Sequence, residues 1–147
     1  RRDIKSTNLL AQVLAKHAAH KAGDYEALMI DQDGFVTEAG SSSFFYIKDS
    51  DLFVRPISNE ILHGITRQTM LRVAERMNLR FVERVYTLEK VLAADEAFIT
   101  ASSIYVLPVS KIDSHVIADG QAGPFTIALR KAYLKTARAE FYQAKAN

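Results

Sequence analysis

Apolar residues recur every three or four positions in several stretches of the chain, which is the spacing of one face of an α-helix. The clearest of these stretches are residues 8–22, which Gly23 closes, and residues 65–78. Proline is common at the first position of a helix, so we expect Pro124 to open a long closing helix. A short helix is predicted over residues 88–93. The pattern therefore predicts four helices.

Three of these helices carry their apolar residues on one side. The stripes are Leu10, Val13, Leu14 and Ala18 in the first helix, Met70, Val73, Ala74 and Met77 in the second, and Phe125, Leu129, Ala132 and Tyr133 in the closing helix. A stripe of this kind normally faces a hydrophobic core.

Short apolar or alternating stretches bounded by turn residues predict strands. The first two are separated by Gln32-Asp33-Gly34, in which Asp-Gly favours a tight hairpin. The predicted strands are residues 25–31, 35–38, 44–47, 52–54, 80–85, 96–100, 105–112 and 115–117. We therefore expect a mixed α+β fold, built as one domain in which helices flank one sheet.

The composition narrows the function classes. A chain of 147 residues, of which 48% are hydrophobic, is long enough to bury one core. Its net charge is only +2 and its basic residues are dispersed, so no nucleic-acid partner is predicted. The absence of cysteine excludes disulfides and thiolate metal sites, and we expect no metal. No apolar run is long enough for a membrane span, and we expect a soluble, cytoplasmic protein.

Lys5 is the first candidate for chemistry. It directly precedes the first predicted helix, in apolar surroundings. A partly buried lysine can lose its proton, and the neutral amine can then form an imine with an aldehyde cofactor or a carbonyl substrate. The alternative, which is more common for a lysine near a helix start, is a solvated charge.

Glu38 is the second candidate, because it ends a strand that should be largely covered and is followed by the small residues 39–43. A carboxylate there has no cation nearby in the sequence and needs a partner. The pyridine nitrogen of pyridoxal phosphate would serve, since a carboxylate keeps that nitrogen protonated and makes the ring a better electron sink. The alternative is a surface glutamate at a strand end.

Two further segments are suited to hold a phosphate. Gly64-Ile65-Thr66 places free backbone N–H groups and a hydroxyl at a helix start, where an anion is favoured. Thr100-Ala101-Ser102-Ser103 offers hydroxyls and amides at the end of a strand. Each segment also has a local interpretation, as a helix cap or as a turn.

The order of these elements resembles that of the fold-type IV transaminases, and most closely the D-amino acid aminotransferases. The resemblance runs over essentially the whole chain. Its matching pieces are Arg2-Asp3-Ile4-Lys5-Ser6 with Asn8-Leu9-Leu10, Val36-Thr37-Glu38 with its serine-rich tail, Ile61-Leu62-His63-Gly64-Ile65-Thr66-Arg67, and Phe98-Ile99-Thr100-Ala101-Ser102. One departure is Ser43, which stands where an asparagine often closes the serine-rich stretch of the family.

The resemblance implies a role for each candidate residue. Lys5 would carry pyridoxal phosphate as a Schiff base and move the proton between the substrate α-carbon and the cofactor. Glu38 would bind the pyridine nitrogen, and Leu62 would lie against the ring. The remaining implied cofactor-binding residues are Gly64, Ile65, Thr66, Ala101 and Ser102, and the implied substrate-binding residues are Ser102 and Ser103.

The resemblance also implies a domain organisation and a reaction. The chain would be the C-terminal, cofactor-binding domain, a mixed sheet or pseudo-barrel flanked by helices. Because the sequence opens on Arg1-Arg2-Asp3 without an initiator methionine, we interpret it as a fragment that lacks a smaller N-terminal domain. That domain would supply a phosphate-binding arginine. The parent protein would be a homodimer that transfers amino groups between D-amino acids and 2-oxo acids.

Three alternatives to this reaction remain open at the level of sequence. Branched-chain aminotransferase and aminodeoxychorismate lyase share the lysine, the glutamate and the Gly-Ile-Thr/Met-Arg piece. The branched-chain enzymes usually have a tyrosine five residues after the lysine, where this chain has Leu10. The non-enzymatic alternative is an inactive folded fragment or an interaction module.

Overall fold

A computed structural model describes residues 1–7 and 9–146, and it describes side chains as far as residue 139. The elements follow one another as α1 (Leu10–Lys21), β1 (Leu28–Ile30), β2 (Val36–Ala39), β3 (Ser43–Lys48), β4 (Asp51–Val54), α2 (Ile65–Arg76), β5 (Phe81–Glu83), α3 (Leu88–Leu92), β6 (Glu96–Ala101), β7 (Tyr105–Pro108), β8 (Lys111–Ile112), β9 (His115–Val116) and α4 (Pro124–Ala146). The mixed α+β class expected from the sequence is confirmed.

A five-stranded mixed sheet forms the centre of the molecule, with the strand order β5-β4-β3-β6-β7. Strands β3, β4, β6 and β7 pair antiparallel, whereas β5 runs parallel to β4. The β3–β4 hairpin turns at Asp49 and Ser50, whose φ angles are 51° and 66°. Two successive residues with positive φ match the right-handed twist of the flanking strands.

Each face of this sheet is covered by a separate layer, because successive side chains of a strand point to opposite faces. On one face Phe45 stacks on Phe98, with ring centroids 5.1 Å apart, and α2 and α4 pack over them. Leu129 of α4 is fully buried there. On the other face Phe44 and Tyr46 pack with residues from the β1–β2 hairpin and α3.

Helix α1 lies outside both layers. None of its residues is buried, and Leu10, Val13 and Leu14 of its apolar stripe are 62%, 60% and 58% exposed. The helix is attached to the body by polar contacts: the Lys16 amine donates to Ser41 Oγ at 2.8 Å and pairs with the Glu26 carboxylate at 3.6 Å. Its predicted first residue, Asn8, lies outside the described residues.

Two sequence predictions about strands were wrong in detail. The strands form three sheets rather than one, because the chain turns after β2 and the ladder of strand pairing does not continue into β3. Across this turn the backbone N–H of Ala39 donates to the Ser42 carbonyl at 2.8 Å. The predicted strand over residues 105–112 is two strands, β7 and β8. It breaks after Pro108, which has no N–H to donate to a neighbouring strand.

Among the residues that the structure describes, no helix combines the length and the apolar character that crossing a membrane would require.

Candidate functional site

Glu38 lies at the end of β2 with its carboxylate in a buried position, since the residue is only 7% exposed. Its Oε1 atom accepts hydrogen bonds from two nitrogens of the Arg2 guanidinium, at 3.1 and 2.9 Å. Its Oε2 atom accepts one from the backbone N–H of Leu62 at 3.0 Å. The carboxylate therefore joins the N-terminal segment, β2 and the loop that leads to α2.

The pKa of Glu38 reflects these surroundings. Burial raises the pKa above its ordinary value, whereas the hydrogen bond from Leu62 and the charge of Arg2 lower it. From the sequence, Glu38 had no cation nearby. The fold supplies one from 36 residues away in the chain, so Arg2 is a site residue that the sequence pattern did not reveal.

Lys5 is exposed, and the expectation of partial burial was wrong. The segment that carries Lys5 is nevertheless fixed: the backbone N–H of Arg2 donates to the Asn59 carbonyl at 2.7 Å, and the Arg2 side chain binds Glu38. At roughly 3.3–3.6 Å per residue, the α-carbon of Lys5 is within about 11 Å of that of Arg2. Lys5 therefore belongs to the segment that Arg2 ties to Glu38, and its own side chain is exposed.

The predicted phosphate segment Gly64-Ile65-Thr66 forms the start of α2, as the sequence indicated. Gly64 is the N-cap, with φ −64° and ψ 135°, and no side chain of a described residue caps the helix. The first N–H groups of α2 are therefore not satisfied by a cap. Ile65 is 81% exposed, and Thr66 and Leu62 are half-buried.

The second predicted segment lies beside the first, and Ser43 connects them. Ser43 pairs with Thr100 across the β3–β6 ladder, and its Oγ atom is 3.6 Å from the position that a Cβ at Gly64 would take. Thr100 Oγ1 is buried without a hydrogen-bond partner within the described part of the chain. The end of β6 thus lies next to Ser43, which in turn lies beside the start of α2.

The other residues of the second segment lie further out. Ala101 ends β6 half-buried, whereas Ser102 and Ser103 are exposed in the turn before β7. The fold thus brings Glu38, Leu62, Gly64 and the end of β6 to one region. The exposed hydroxyls of Ser102 and Ser103 border it.

Two buried arginines support this region, and neither was assigned a role from the sequence. Arg55 donates to the Val36 carbonyl at 2.8 Å and to Asp31 at 3.0 Å, and Arg67 donates to the Arg55 carbonyl at 2.8 Å. Burial lowers the pKa of Arg67 below its ordinary value. These bonds connect β2, which carries Glu38, to β4 and α2. Only the position of Arg67 after Gly-Ile-Thr could have drawn attention to this connection.

The chemistry available to this region has two parts. A buried carboxylate that is held by donors can bind a basic ring nitrogen and keep it protonated. The uncapped start of α2 can bind an anion such as a phosphate. A ligand that carries both a basic ring nitrogen and an anionic group would fit the region.

The model of the family described as Amino-transferase class IV matches residues 1–112. The D-alanine aminotransferase of Bacillus licheniformis is 41% identical over 124 residues, which are 84% of this chain and 44% of that protein. The D-alanine aminotransferase of Staphylococcus epidermidis is 42% identical over 133 residues, which are 90% of this chain and 47% of that protein.

Among solved structures, the branched-chain amino acid aminotransferase of Thermobaculum terrenum in its PLP form superposes with a TM-score of 0.87 at 32% identity. The match covers 92% of this chain and 45% of that one. The chain thus spans less than half the length of the curated relatives that it matches. With the family model matched over most of its residues, the chain belongs to the class IV aminotransferases.

Proposed function

We propose that this chain is the cofactor-binding part of a pyridoxal-phosphate-dependent transaminase that acts on D-amino acids. The observation that carries the proposal is the buried Glu38 carboxylate, held by Arg2 and Leu62 next to an uncapped helix start. Family membership supports the same reaction class. The Thermobaculum terrenum neighbour, whose structure is of the PLP form, supports the same cofactor.

Pyridoxal phosphate fits the residues that are present. Glu38 offers a carboxylate for the pyridine nitrogen, and Gly64, Ile65, Thr66, Ala101 and Ser102 offer amides and hydroxyls for the phosphate. When bound, the cofactor supplies an aldehyde that condenses with amino groups and a ring that withdraws electrons from them.

The chain's own residues then have distinct tasks. The Lys5 amine would hold the cofactor covalently between reactions, and once released it would take the proton from the substrate α-carbon. Glu38 would keep the ring nitrogen protonated, and Leu62 would lie against the ring. Ser102 and Ser103 would face the substrate carboxylate. The Lys5 side chain is exposed to water in this structure. Excluding water from the amine would therefore require a partner that covers it.

The proposed substrates are D-alanine and 2-oxoglutarate, which exchange an amino group for a keto oxygen to give pyruvate and D-glutamate. The relatives named D-alanine aminotransferase support this choice. A second candidate is branched-chain transamination, which the name of the Thermobaculum terrenum neighbour favours. Comparing turnover of D-alanine with turnover of L-leucine distinguishes the two.

We further propose that a smaller N-terminal domain, with an arginine for the phosphate, completes the site, and that the whole protein is a homodimer. The support for a further domain is the length of the relatives, of which this chain matches 44% and 47%. The support for a covering partner is the exposed state of Lys5 and of the α1 stripe.

The proposal is tested with the full-length gene product that contains these residues. With pyridoxal phosphate present, it should convert D-alanine to pyruvate when 2-oxoglutarate is added. Lys5→Ala should lower the rate at least about a thousandfold, since the amine is both the attachment point and the proton carrier. Lys21→Ala, at the far end of α1, is the matched control. Equal rates for Lys5→Ala and the unmodified protein would exclude Lys5 as the catalytic amine, and no conversion by the unmodified protein would favour the interaction-module alternative.

A further inference from the structure

We propose that Arg2 is a positioning residue, which holds the Glu38 carboxylate ionised and oriented so that it can bind a basic ring nitrogen. The inference rests on the proposed function for the identity of that nitrogen. The part that concerns Arg2 and Glu38 themselves is independent of any cofactor and can be tested without one.

The geometry of the pair gives Arg2 this role. Both Arg2 donors bind the same oxygen, Oε1, in a part-buried position, where a charged pair is stronger than at the surface. Arg2 is itself fixed by its backbone bond to the Asn59 carbonyl at 2.7 Å. The guanidinium is therefore held against the Oε1 side of the carboxylate.

The remaining lone pair defines where a ligand can bind. A carboxylate has about four acceptor positions. Arg2 fills two of them on Oε1, and the Leu62 N–H fills one on Oε2. One position on Oε2 is left for a further N–H donor. Among the described residues, Arg2 is the only charged side chain that contacts Glu38, so its loss would leave a buried carboxylate with no cation.

The neighbouring arginine provides a matched control. Arg1 is next to Arg2 in the chain but pairs with Asp3, at 2.8 Å, and its side chain is 65% exposed. The two residues have the same charge and differ by one position. An effect of Arg2 on Glu38 that Arg1 does not share must come from the contact itself.

The first measurement follows the ionisation of Glu38 by carbon NMR of the side-chain carboxyl in the cofactor-free full-length protein. The signal is assigned with Glu38→Gln. Arg2→Gln should shift the ionisation constant of Glu38 at least about tenfold toward the protonated form, because an opposite charge at this distance favours ionisation. Arg1→Gln should leave it unchanged, and Arg2→Lys should restore part of the effect. An unchanged ionisation constant in a folded Arg2→Gln would overturn the proposal.

The second measurement uses pyridoxal phosphate as the probe. Arg2→Gln should weaken its binding about tenfold and make the visible absorption of the bound cofactor depend more steeply on pH, whereas Arg1→Gln should change neither. If Arg2→Gln does not fold, Arg2→Met, which keeps an unbranched side chain without the charge, takes its place: a binding constant and a pH profile identical to those of the unmodified protein would reject the role. If the unmodified protein binds no cofactor, the proposed function fails, and the NMR titration still decides the role of Arg2 toward Glu38.

Discussion

At the scale of single residues, the site depends on a carboxylate whose pKa is raised by burial. Glu38 is 7% exposed, and its folded pKa lies above the ordinary value of 4.5 that applies to the unfolded chain. The folded state therefore binds the proton more tightly than the unfolded state does. The resulting contribution to stability is fully present below about pH 4.5 and is lost as the pH rises through the folded pKa.

Glu38→Gln should remove this pH dependence. From about pH 4 to about pH 7, the free energy of unfolding of the unmodified protein should fall relative to that of Glu38→Gln. The fall should be about 1.4 kcal/mol for each unit by which the pKa of Glu38 in the folded protein exceeds that in the unfolded chain. Urea unfolding at several pH values measures it. The control is Glu75→Gln, at an exposed position of α2; a parallel pH dependence in all three proteins would contradict the account.

The residues of the site differ in how far the sequence could predict them. Lys5, Glu38 and the segments starting at Gly64 and Thr100 are predicted from their order along the chain. Arg2 could not be found as the partner of Glu38, because the two are 36 residues apart and their contact depends on how the first residues lie against Asn59. Exposure of Lys5 could not be predicted either, since it depends on what covers the residue.

At the scale of elements, the start of α4 is held by a buried side chain. The Glu96 carboxylate, in β6, accepts hydrogen bonds from the N–H groups of Phe125 and Thr126 at 2.9 and 2.7 Å. It thereby caps the helix and complements its dipole. A Cβ added at Gly123 would collide with the Glu96 side chain. Glycine at this position therefore leaves space for the cap.

Glu96→Ala should lower the free energy of unfolding by about 1–3 kcal/mol, because the buried N–H of Thr126 and the part-buried N–H of Phe125 lose their acceptor. Gly123→Ala should cost a similar amount, about 1–3 kcal/mol, since the added methyl group displaces the carboxylate. The two changes act on one contact, so the double variant should be clearly less destabilised than the sum. Urea unfolding of the two single variants and the double variant measures this, and strict additivity would show that the clash and the cap are unrelated.

The apolar stripes of α1 and α4 look alike in the sequence but differ in the structure. Leu129 of α4 is fully buried, whereas Leu14 of α1 is 58% exposed. Leu129→Ala should therefore cost about 2–5 kcal/mol, whereas Leu14→Ala should change stability by no more than about 0.5 kcal/mol. Chemical denaturation of both variants is the measurement. A cost for Leu14→Ala close to that for Leu129→Ala would mean that α1 packs on the core in solution.

Most helices and strands could be predicted because their apolar residues repeat at one period within a short stretch. The division into three sheets could not, because it depends on where backbone pairing stops after Ala39 and after Pro108. The position of α1 was also out of reach, since a stripe shows which side of a helix is apolar but not what covers it.

At the scale of the whole molecule, the chain has a complete core but an open site. Both faces of the central sheet are covered, whereas Lys5 and the α1 stripe are exposed. The overall fold could be predicted from the sequence because the resemblance covers nearly the whole chain. The sequence does not show what would cover Lys5 and the α1 stripe, because an exposed side chain carries no information about its partner.

The exposed stripe should make the isolated chain self-associate. Sedimentation at two concentrations should show a larger apparent mass at the higher one, because contiguous exposed apolar surface favours association. A triple variant with Leu10→Ser, Val13→Ser and Leu14→Ser should reduce the effect, and a variant with serine at the separate exposed positions Ile57 and Val85 is the control. A strictly monomeric chain at both concentrations would count against the proposed partner surface.

The most direct test of the account is to identify the lysine that holds the cofactor. The full-length protein is incubated with pyridoxal phosphate, reduced with borohydride, digested, and analysed by mass spectrometry. The account predicts that the label is on Lys5, and that Glu38→Gln reduces the labelled fraction while Glu75→Gln does not. Labelling of other lysines with Lys5 unmodified, or no label after reduction, would contradict it.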